Sequence, residues 1–187
     1  MRIIIYGPQG SGKTTQVKLL AKKLGLLVIS AGEISREIAS EGTKEGKHVK
    51  QLLDQGNPTP WRIFNPRLKK IFNCPKARKG YVLDGFPRFS YQMSFLNSFL
   101  KQTNTEIDKV VLINLSQRET VSRMLSRAKK ENRGDDTPEA IARRLQLYRD
   151  KTKPIIDCFL SQGKVVEVDG RGTVEDVHKL ILQALNL

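Results

Sequence analysis

Two hydrophobic periodicities alternate along this chain. Continuous apolar runs of about five residues, which are typical of strands buried on both faces, recur along its length. They are RIIIY (2–6), LLVIS (26–30), GYVLD (80–84), KVVLINL (109–115) and KVVEV (164–168). The segments between them carry apolar residues every three or four positions, as one face of a helix does. Strands separated by helices predict a parallel sheet covered by helices on both faces.

Capping residues and prolines mark the ends of the predicted helices. The helices are expected at 13–24, after a capping-box pattern at 30–33, at 43–55, 59–72, 91–100 and 118–129, from 137 past 148, and after 173–176. Thr59 is expected to cap its helix with Pro60 at the first helical position. Pro154 is expected to kink or interrupt the helix that begins at Thr137. The inward-facing residues predicted for the last helix are Val177, Leu180, Ile181 and Leu185.

Length and composition bound the class of protein. The 187 residues suit one domain, and 39% hydrophobic with 28% charged residues is ordinary for a globular protein. No apolar run approaches the ~20 residues of a membrane span, and the first strand is too short for a signal peptide. The two cysteines and two histidines cannot form a zinc cluster. We therefore expect a cytoplasmic protein without zinc, without a membrane anchor and without histidine-based acid–base chemistry.

The net charge of +14 is the unusual feature of the composition. A strong positive charge suggests a polyanionic partner such as a nucleotide or a nucleic acid. The lysines and arginines are, however, spread along the whole chain, without the interleaved aromatic residues of an RNA-binding motif. We interpret most of the charge as a solvated surface and some of it as part of a site for an anionic small molecule.

A phosphate-binding motif lies directly behind the first predicted strand. Residues 7–14 read GPQGSGKT, which fits the pattern G-x-x-x-x-G-K-[ST] in the strand-to-helix context that the motif requires. The glycines let successive backbone amides point inward, and these amides, the helix N-terminus and Lys13 together hold an anion. The hydroxyl that follows the lysine can bind Mg²⁺.

A second motif restricts the possible reactions. In YVLDGFPRFSYQ (81–92), Asp84 ends a strand, where a carboxylate can orient Mg²⁺. Gly85 permits close backbone approach, Pro87 fixes the turn, and Arg88 is expected to start the next helix and to clamp a phosphate. The chain lacks the N/T-K-x-D motif with which a GTPase reads guanine.

The order and spacing of several motifs resemble the adenylate kinase family of nucleoside monophosphate kinases over essentially the whole chain. The motifs are GPQGSGKTTQ, SAGEISR, DGFPR followed by Gln92, NRGDD and ARRLQLY. The resemblance implies an α/β fold of the P-loop NTPase type, a three-layer sandwich with a five-stranded parallel sheet. It also implies a core at 1–29, 60–126 and 137–187, an inserted arm for the monophosphate at 30–59, and a short lid at 127–136.

The resemblance implies a site for ATP with Mg²⁺. The expected ATP-binding residues are Gly10, Ser11, Gly12, Lys13, Thr14, Thr15, Arg123, Arg127 and Gly172. Thr14 and Asp84 are expected to order the Mg²⁺, partly through water. Asp135 and Asp136 match the acidic pair of the lid.

The resemblance likewise implies a site for the acceptor nucleotide. The expected residues are Ala31, Arg36, Asn57, Pro58, Thr59, Gly85, Phe86, Pro87, Arg88, Gln92, Arg133 and Arg144. The residues expected to act on the transferring phosphoryl group are Lys13, Arg88, Arg123, Arg127, Arg133 and Arg144. Such transfer requires alignment and dispersed positive charge rather than a nucleophilic side chain.

The chain departs from the family pattern at two positions that bear on its chemistry, Thr14 and Ala31. Thr14 stands where the family commonly has glycine, so either Thr14 or Thr15 could order Mg²⁺. Ala31 replaces the threonine common in AMP-specific members and is similar to UMP/CMP kinases. Gln92 matches the AMP-specific form, and its carboxamide can both donate to and accept from adenine.

These observations predict an adenylate kinase that converts ATP and AMP to two ADP, expected to be a monomer. A UMP/CMP kinase of the same family is the nearest alternative. A non-catalytic, ATP-dependent basic module that binds RNA or protein is an alternative of a different class, although a nucleic-acid partner is not expected. A small-metabolite kinase is a weaker rival because DGFPR argues against it.

Overall fold

Parallel strands form the centre of the computed structural model, which describes residues 1–131 and 137–187 and the side chains of all these except 127–131. The strands are β1 (Arg2–Tyr6), β2 (Leu27–Ser30), β3 (Tyr81–Asp84), β4 (Lys109–Asn114) and β5 (Val165–Asp169). Their order across the sheet is β2-β3-β1-β4-β5, and every pair is parallel. The predicted fold class is therefore confirmed.

Helices connect the strands and cover the sheet. They are α1 (Lys13–Leu24), α2 (Ala31–Ser40), α3 (Lys44–Asp54), α4 (Trp61–Phe72), α5 (Pro75–Lys79), α6 (Ser90–Gln102), α7 (Gln117–Glu131), α8 (Pro138–Leu147), α9 (Lys153–Ser161) and α10 (Val174–Ala184). In the ranges that the structure describes, no helix is both long and apolar enough to cross a membrane.

The alternation of side chains along β1 divides the core into two layers. Ile3 and Ile5 lie in one cluster with residues of α1 and α10, such as Val17 and Ile181. Ile4 lies in the other cluster with residues of α2, α4, α6 and α9. Successive strand residues point to opposite faces of a sheet, so a continuous apolar run supplies both layers.

Two predicted helix starts are wrong by one or two residues. Pro60, not Thr59, is the N-cap of α4, because the Thr59 hydroxyl instead donates to Ser35 Oγ at 2.8 Å. Arg88 does not start α6, which begins at Ser90. At Thr59 a tertiary hydrogen bond replaces the cap that local rules predict. At Arg88 the chain continues as an extended loop up to Phe89 before the helix begins.

Of the residues predicted to face inward on α10, Leu180 was predicted wrongly. Val177, Ile181 and Leu185 are buried, whereas Leu180 is 38% exposed. The buried residues follow each other at intervals of four, so the stripe turns around the helix and leaves Leu180 on its outer side. The predicted start of this helix is confirmed, with Thr173 and Asp176 forming a capping box.

The interruption predicted near Pro154 is confirmed and has a specific form. A π-helical turn, Tyr148–Thr152, separates α8 from α9, and Pro154 lies in the first turn of α9. Proline has no backbone N–H to donate, which favours a break in the regular helix at this point. The short helix α5 was not predicted.

Candidate active site

The loop between β1 and α1 bends with a backbone that glycine adopts readily. Gly10 and Gly12 both have a φ of +82°, in the left-handed region. A Cβ on Gly10 would lie 3.1 Å from Met124 Cγ, because the loop lies directly on α7 there. At Gly12, the N-cap of α1, such a Cβ has nothing within 4 Å. The N-terminus of α1 is therefore accessible to an anion.

Lys13 and Ser11 add side-chain groups to this loop. Lys13 is the first residue of α1, and its Nζ donates to the Pro8 carbonyl at 2.7 Å, so the ammonium group lies against the loop. Ser11 is 2% exposed, and its hydroxyl has no hydrogen-bond partner in the described part of the chain. Buried hydroxyls are rarely unpaired in folded proteins, so this one suits a ligand atom.

Three oxygen atoms meet where β2 and β3 end beside the start of α1. Asp84 Oδ2 accepts hydrogen bonds from Thr14 Oγ1 at 2.7 Å and from Ser30 Oγ at 3.0 Å. Asp84 is the last residue of β3 and Ser30 the last residue of β2, which pair in register. The carboxylate and two hydroxyls offer the hard oxygen ligands that Mg²⁺ prefers.

The loop Gly85–Arg88 follows β3 with an unusual backbone path. Gly85 has a φ of +65°, and the Phe86–Pro87 peptide bond is cis. Arg88 Nε donates to the Gly85 carbonyl at 2.7 Å, so the arginine side chain folds back over its own loop. A Cβ on Gly85 would lie 2.2 Å from Arg88 Nη2, which explains why glycine stands there.

The electrostatic environment of Arg88 suits an anionic ligand. Burial lowers its pKa, the nearby Asp84 carboxylate raises it, and Arg144 and Arg36 lower it. The guanidinium group nevertheless stays charged, because the ordinary pKa of arginine is far above neutral. A bound phosphate would relieve the repulsion between these three cations.

Side chains from other elements hold the backbone of the same loop. Tyr6 Oη donates to the Pro87 carbonyl at 2.7 Å, and Thr152 Oγ1 donates to the Arg88 carbonyl at 3.4 Å. Arg88 N donates to Gln92 Oε1 at 2.7 Å. Gln92 is thus buried beside the loop, with its carbonyl oxygen already paired.

The residues predicted to bind the acceptor begin at the N-terminus of α2. Ala31 is the first residue of α2, and Ser30 caps the helix by accepting from Glu33 N at 3.4 Å. Arg36 lies one turn further on, with Nη1 3.2 Å from the position of a Cβ on Gly32. Arg36 also lines a cleft on α2 with Glu33, Glu37 and Ser40. The Ala31 and Arg36 positions are therefore on adjacent turns of one helix.

The segment after α3 contacts α8. Gly56 has a φ of +74°, and a Cβ there would lie 2.6 Å from the Ala140 carbonyl oxygen. Arg143 Nε donates to Asn57 Oδ1 at 3.4 Å, and Arg144 Nη2 donates to the Leu53 carbonyl at 3.3 Å. Arg144 is therefore next to the predicted acceptor segment, which ends with Pro58 and the buried Thr59.

The loop between β5 and α10 is held by residues of α1 and α7. Arg123 Nη1 donates to the Gly170 carbonyl at 3.1 Å. Gln16 is 2% exposed, and its Nε2 donates to the Val174 carbonyl at 2.8 Å. Gly172 lies between these two attachments with a φ of +101°. Arg123, on α7, thus contacts the loop that contains Gly172, so the structure brings these two predicted residues close together.

Several contacts near these loops involve residues to which the sequence analysis gave no role in the site, namely Tyr6, Gln16, Ser30 and Thr152. Gln16 had a visible signal, because it is a polar residue beside the apolar stripe of α1. Tyr6 also had one, since it ends the first strand with a hydroxyl directly before the P-loop. The predicted Arg133, Asp135, Asp136 and the side chain of Arg127 lie outside the described residues.

Comparison with known proteins identifies the family. The family model described as adenylate kinase matches residues 5–164. An adenylate kinase of Stenotrophomonas maltophilia (strain K279a) is 37% identical over 185 residues, with 99% of each chain covered. One from Nocardioides sp. (strain ATCC BAA-499 / JS614) is 39% identical over 187 residues, covering 100% of this chain and 98% of the relative. One from Mycolicibacterium paratuberculosis (strain ATCC BAA-968 / K-10) is 40% identical over 185 residues, with 99% of each covered. The resemblance in the motifs is confirmed, and the chain belongs to the adenylate kinase family.

Proposed function

We propose that this protein is an adenylate kinase, which transfers the γ-phosphoryl group of ATP to AMP and forms two ADP. The observation that carries the proposal is the contact between the two phosphate-binding segments. Thr14 of the P-loop and Asp84 of the DGFPR motif are hydrogen-bonded at the carboxyl edge of the sheet. This edge is where ligands bind in open α/β sheets. The relatives named adenylate kinase match nearly the full chain, which favours AMP over a pyrimidine acceptor.

The P-loop residues would hold the donor. The amides of residues 10–15 and Lys13 suit the ATP phosphates, and the loop at Gly170–Gly172, attached to Arg123, suits the adenine. Thr14 and Asp84 fit Mg²⁺, which would neutralise phosphate charge during transfer. In the reaction an AMP phosphate oxygen forms a bond to the γ-phosphorus as the bond to the ADP leaving oxygen breaks. No covalent enzyme intermediate is needed.

The Gly85–Arg88 loop and α2 would hold the acceptor. Arg88 and Arg36 carry the positive charge for the monophosphate, and Arg144 lies close enough to Arg88 to influence its pKa. Ala31, Gln92 and residues 57–59 would surround the base and ribose. The roles of Arg127, Arg133, Asp135 and Asp136, the arm at 30–59 and the lid at 127–136 stay predictions. So do the monomeric state and the cytoplasmic location.

The base preference depends on Gln92 and Ala31. Gln92 Oε1 already accepts from Arg88 N, so the carboxamide would act on the base mainly as an N–H donor, for which an adenine ring nitrogen is a suitable acceptor. This arrangement also connects the base pocket directly to the arginine that holds the phosphate. Ala31 leaves the pocket without the hydroxyl of a threonine, so some turnover of UMP and CMP is expected.

A coupled assay with ATP, Mg²⁺ and a panel of AMP, UMP, CMP and GMP tests the proposal. We expect the highest kcat/KM with AMP and loss of turnover in Lys13→Met, because the phosphates lose their cation. Lys22→Met, at the exposed end of α1, is the matched control and should retain activity. Higher kcat/KM with UMP or CMP would assign a pyrimidine monophosphate kinase. ATP binding without transfer to any acceptor would favour the non-catalytic module.

A further inference from the structure

Tyr6 links the strand before the P-loop to the loop that is expected to bind the acceptor. It is the last residue of β1, is 1% exposed, and donates a 2.7 Å hydrogen bond to the Pro87 carbonyl. We propose that the Tyr6 hydroxyl is a positioning group that sets the Gly85–Arg88 loop, and with it the Arg88 guanidinium, for the phosphate of the acceptor nucleotide. This inference rests on the proposed function.

The first reason is the way the loop is held. Its backbone polar groups are paired with side chains from three different elements: Pro87 O with Tyr6 of β1, Arg88 N with Gln92 of α6, and Arg88 O with Thr152 of the π-helical turn. Arg88 is thus flanked by anchored backbone on both sides. The direction of its guanidinium group follows from this backbone, because Arg88 Nε also donates to the Gly85 carbonyl.

The second reason is the environment of the hydroxyl. Tyr6, Gly85, Arg88, Tyr148 and Thr152 line a small cavity next to Lys13. Burial raises the pKa of Tyr6 well above its ordinary value, although nearby Arg88 lowers it. The hydroxyl therefore remains a neutral donor at physiological pH. A buried carbonyl that loses such a donor has to find another partner, so Pro87 would shift if the hydroxyl were removed.

The third reason is the place of the π-helical turn. Thr152 is 4% exposed and is the last residue of that turn. Turns of this type are rare and often occur at functional sites. Here the Thr152 hydroxyl donates to the Arg88 carbonyl, which is adjacent in the chain to the Pro87 carbonyl that Tyr6 contacts. The two hydroxyls therefore support the same loop from two sides.

The inference predicts a selective effect on the acceptor. Tyr6→Phe keeps the ring in the core and removes only the hydroxyl. We expect the KM and Kd for AMP to rise by about threefold to tenfold, the range for loss of one hydrogen bond. The KM for ATP should change by less than about twofold, since the P-loop keeps its own contacts. Thr152→Val should raise the KM and Kd for AMP by a smaller factor than Tyr6→Phe, because the hydrogen bond of Thr152 is longer than that of Tyr6.

Tyr81→Phe provides the matched control. Tyr81 is also 1% exposed, but it lies at the opposite, amino end of β3, where its ring is under Arg2. All four proteins are compared by steady-state kinetics, titration with AMP and with ATP, and thermal unfolding. Tyr81→Phe should leave the constants for AMP and ATP unchanged, whatever its Tm.

The outcomes separate this inference from the proposed function. A lower Tm in Tyr6→Phe with an unchanged Kd and KM for AMP would show a purely structural role and overturn the inference. Equal increases in the constants for AMP and ATP would overturn it as well. If the wild-type protein does not phosphorylate AMP, the proposed function fails. The Kd for AMP, or for the monophosphate that the wild type prefers, still decides whether Tyr6 positions the loop.

Discussion

Thr14 Oγ1 donates a 2.7 Å hydrogen bond to Asp84 Oδ2, which joins the first turn of α1 to the end of β3. The two residues are 70 positions apart in the chain and belong to different motifs. The contact favours Thr14 over the adjacent Thr15 as the metal-ordering residue, because Thr14 contacts the carboxylate expected to order Mg²⁺. We therefore propose that the metal-ordering hydroxyl is that of Thr14 rather than that of Thr15.

Substitution of the two threonines tests this assignment. Thr14→Val should raise the Mg²⁺ concentration for half-maximal activity by about tenfold or more, as loss of a metal-site oxygen commonly does. Thr15→Val should have a smaller effect, since its backbone amide remains available to ATP. The measurement is kcat against Mg²⁺ concentration at saturating nucleotides. A larger effect of Thr15→Val than of Thr14→Val would reverse the assignment.

Gly85→Ala should weaken acceptor binding through Arg88. The new Cβ would lie 2.2 Å from Arg88 Nη2 and would displace the guanidinium group. Gly163→Ala is the matched control, because Gly163 has a φ of +66° and nothing within 4 Å of its Cβ position. Both variants should lose about 1–2 kcal/mol of stability from left-handed strain. Only Gly85→Ala should raise the KM for AMP, and equal KM values in both variants would contradict this account.

Gln16 is expected to support the ATP adenine through the β5–α10 loop. Because Gln16 Nε2 donates to the Val174 carbonyl, its Oε1 must accept from His178 Nδ1, which lies 3.1 Å away. Gln16→Leu removes both hydrogen bonds, so the KM for ATP should rise by about threefold to tenfold. His178→Ala leaves the Val174 bond in place and should have a smaller effect. Steady-state kinetics with ATP and AMP varied separately would detect the difference, and a rise confined to AMP would refute the role.

Ala31→Thr should sharpen the choice of acceptor. A threonine at the first position of α2 would supply a methyl group and a hydroxyl near the base. One additional hydrogen bond is worth roughly 1 kcal/mol, or about fivefold in selectivity. We expect the ratio of kcat/KM for AMP over UMP and CMP to increase by about this factor. A ratio that falls would show that Ala31 is not beside the base of the bound acceptor.

The raised pKa values of the tyrosines predict that the protein loses stability at alkaline pH. Burial raises the pKa of all four tyrosines of the chain, to about 12 for Tyr81 and Tyr148, with Tyr6 and Tyr91 also raised. Above the ordinary value of 10.0, the unfolded chain therefore releases protons that the folded protein retains. The free energy of unfolding must then fall as the pH rises from 10 to 12.

Phenolate absorbance and circular dichroism, recorded together during an alkaline titration, measure this effect. The phenolate absorbance of the folded protein should increase at a higher pH than that of the unfolded chain, because the buried tyrosines keep their protons longer. Tyr148→Phe removes one of the shifted groups and should reduce the pH dependence of the unfolding free energy in this window. Ionisation of the tyrosines near their ordinary pKa in a protein that stays folded would contradict the prediction.

The sequence by itself determined the sheet and the position of the phosphate loop. The short apolar runs separated by helical patterns predicted buried strands, and the glycine-rich motif between the first strand and a helix predicted a loop with inward-pointing amides. These features depend on residues close together in the chain. For the same reason, the start of α10 at Thr173 and Asp176 was predictable, because a capping box involves residues three positions apart.

Only the tertiary structure decided which side chains meet at the site. Thr59 obeys a local capping pattern, yet it bonds to Ser35, because the packing of α2 against α4 makes that partner available. The hydrogen bonds of Thr14 to Asp84, of Tyr6 to Pro87 and of Gln16 to Val174 likewise join segments that are distant in the chain. Hydrogen bonds depend on distances of about 3 Å, and local propensities do not specify such distances between elements far apart in the chain.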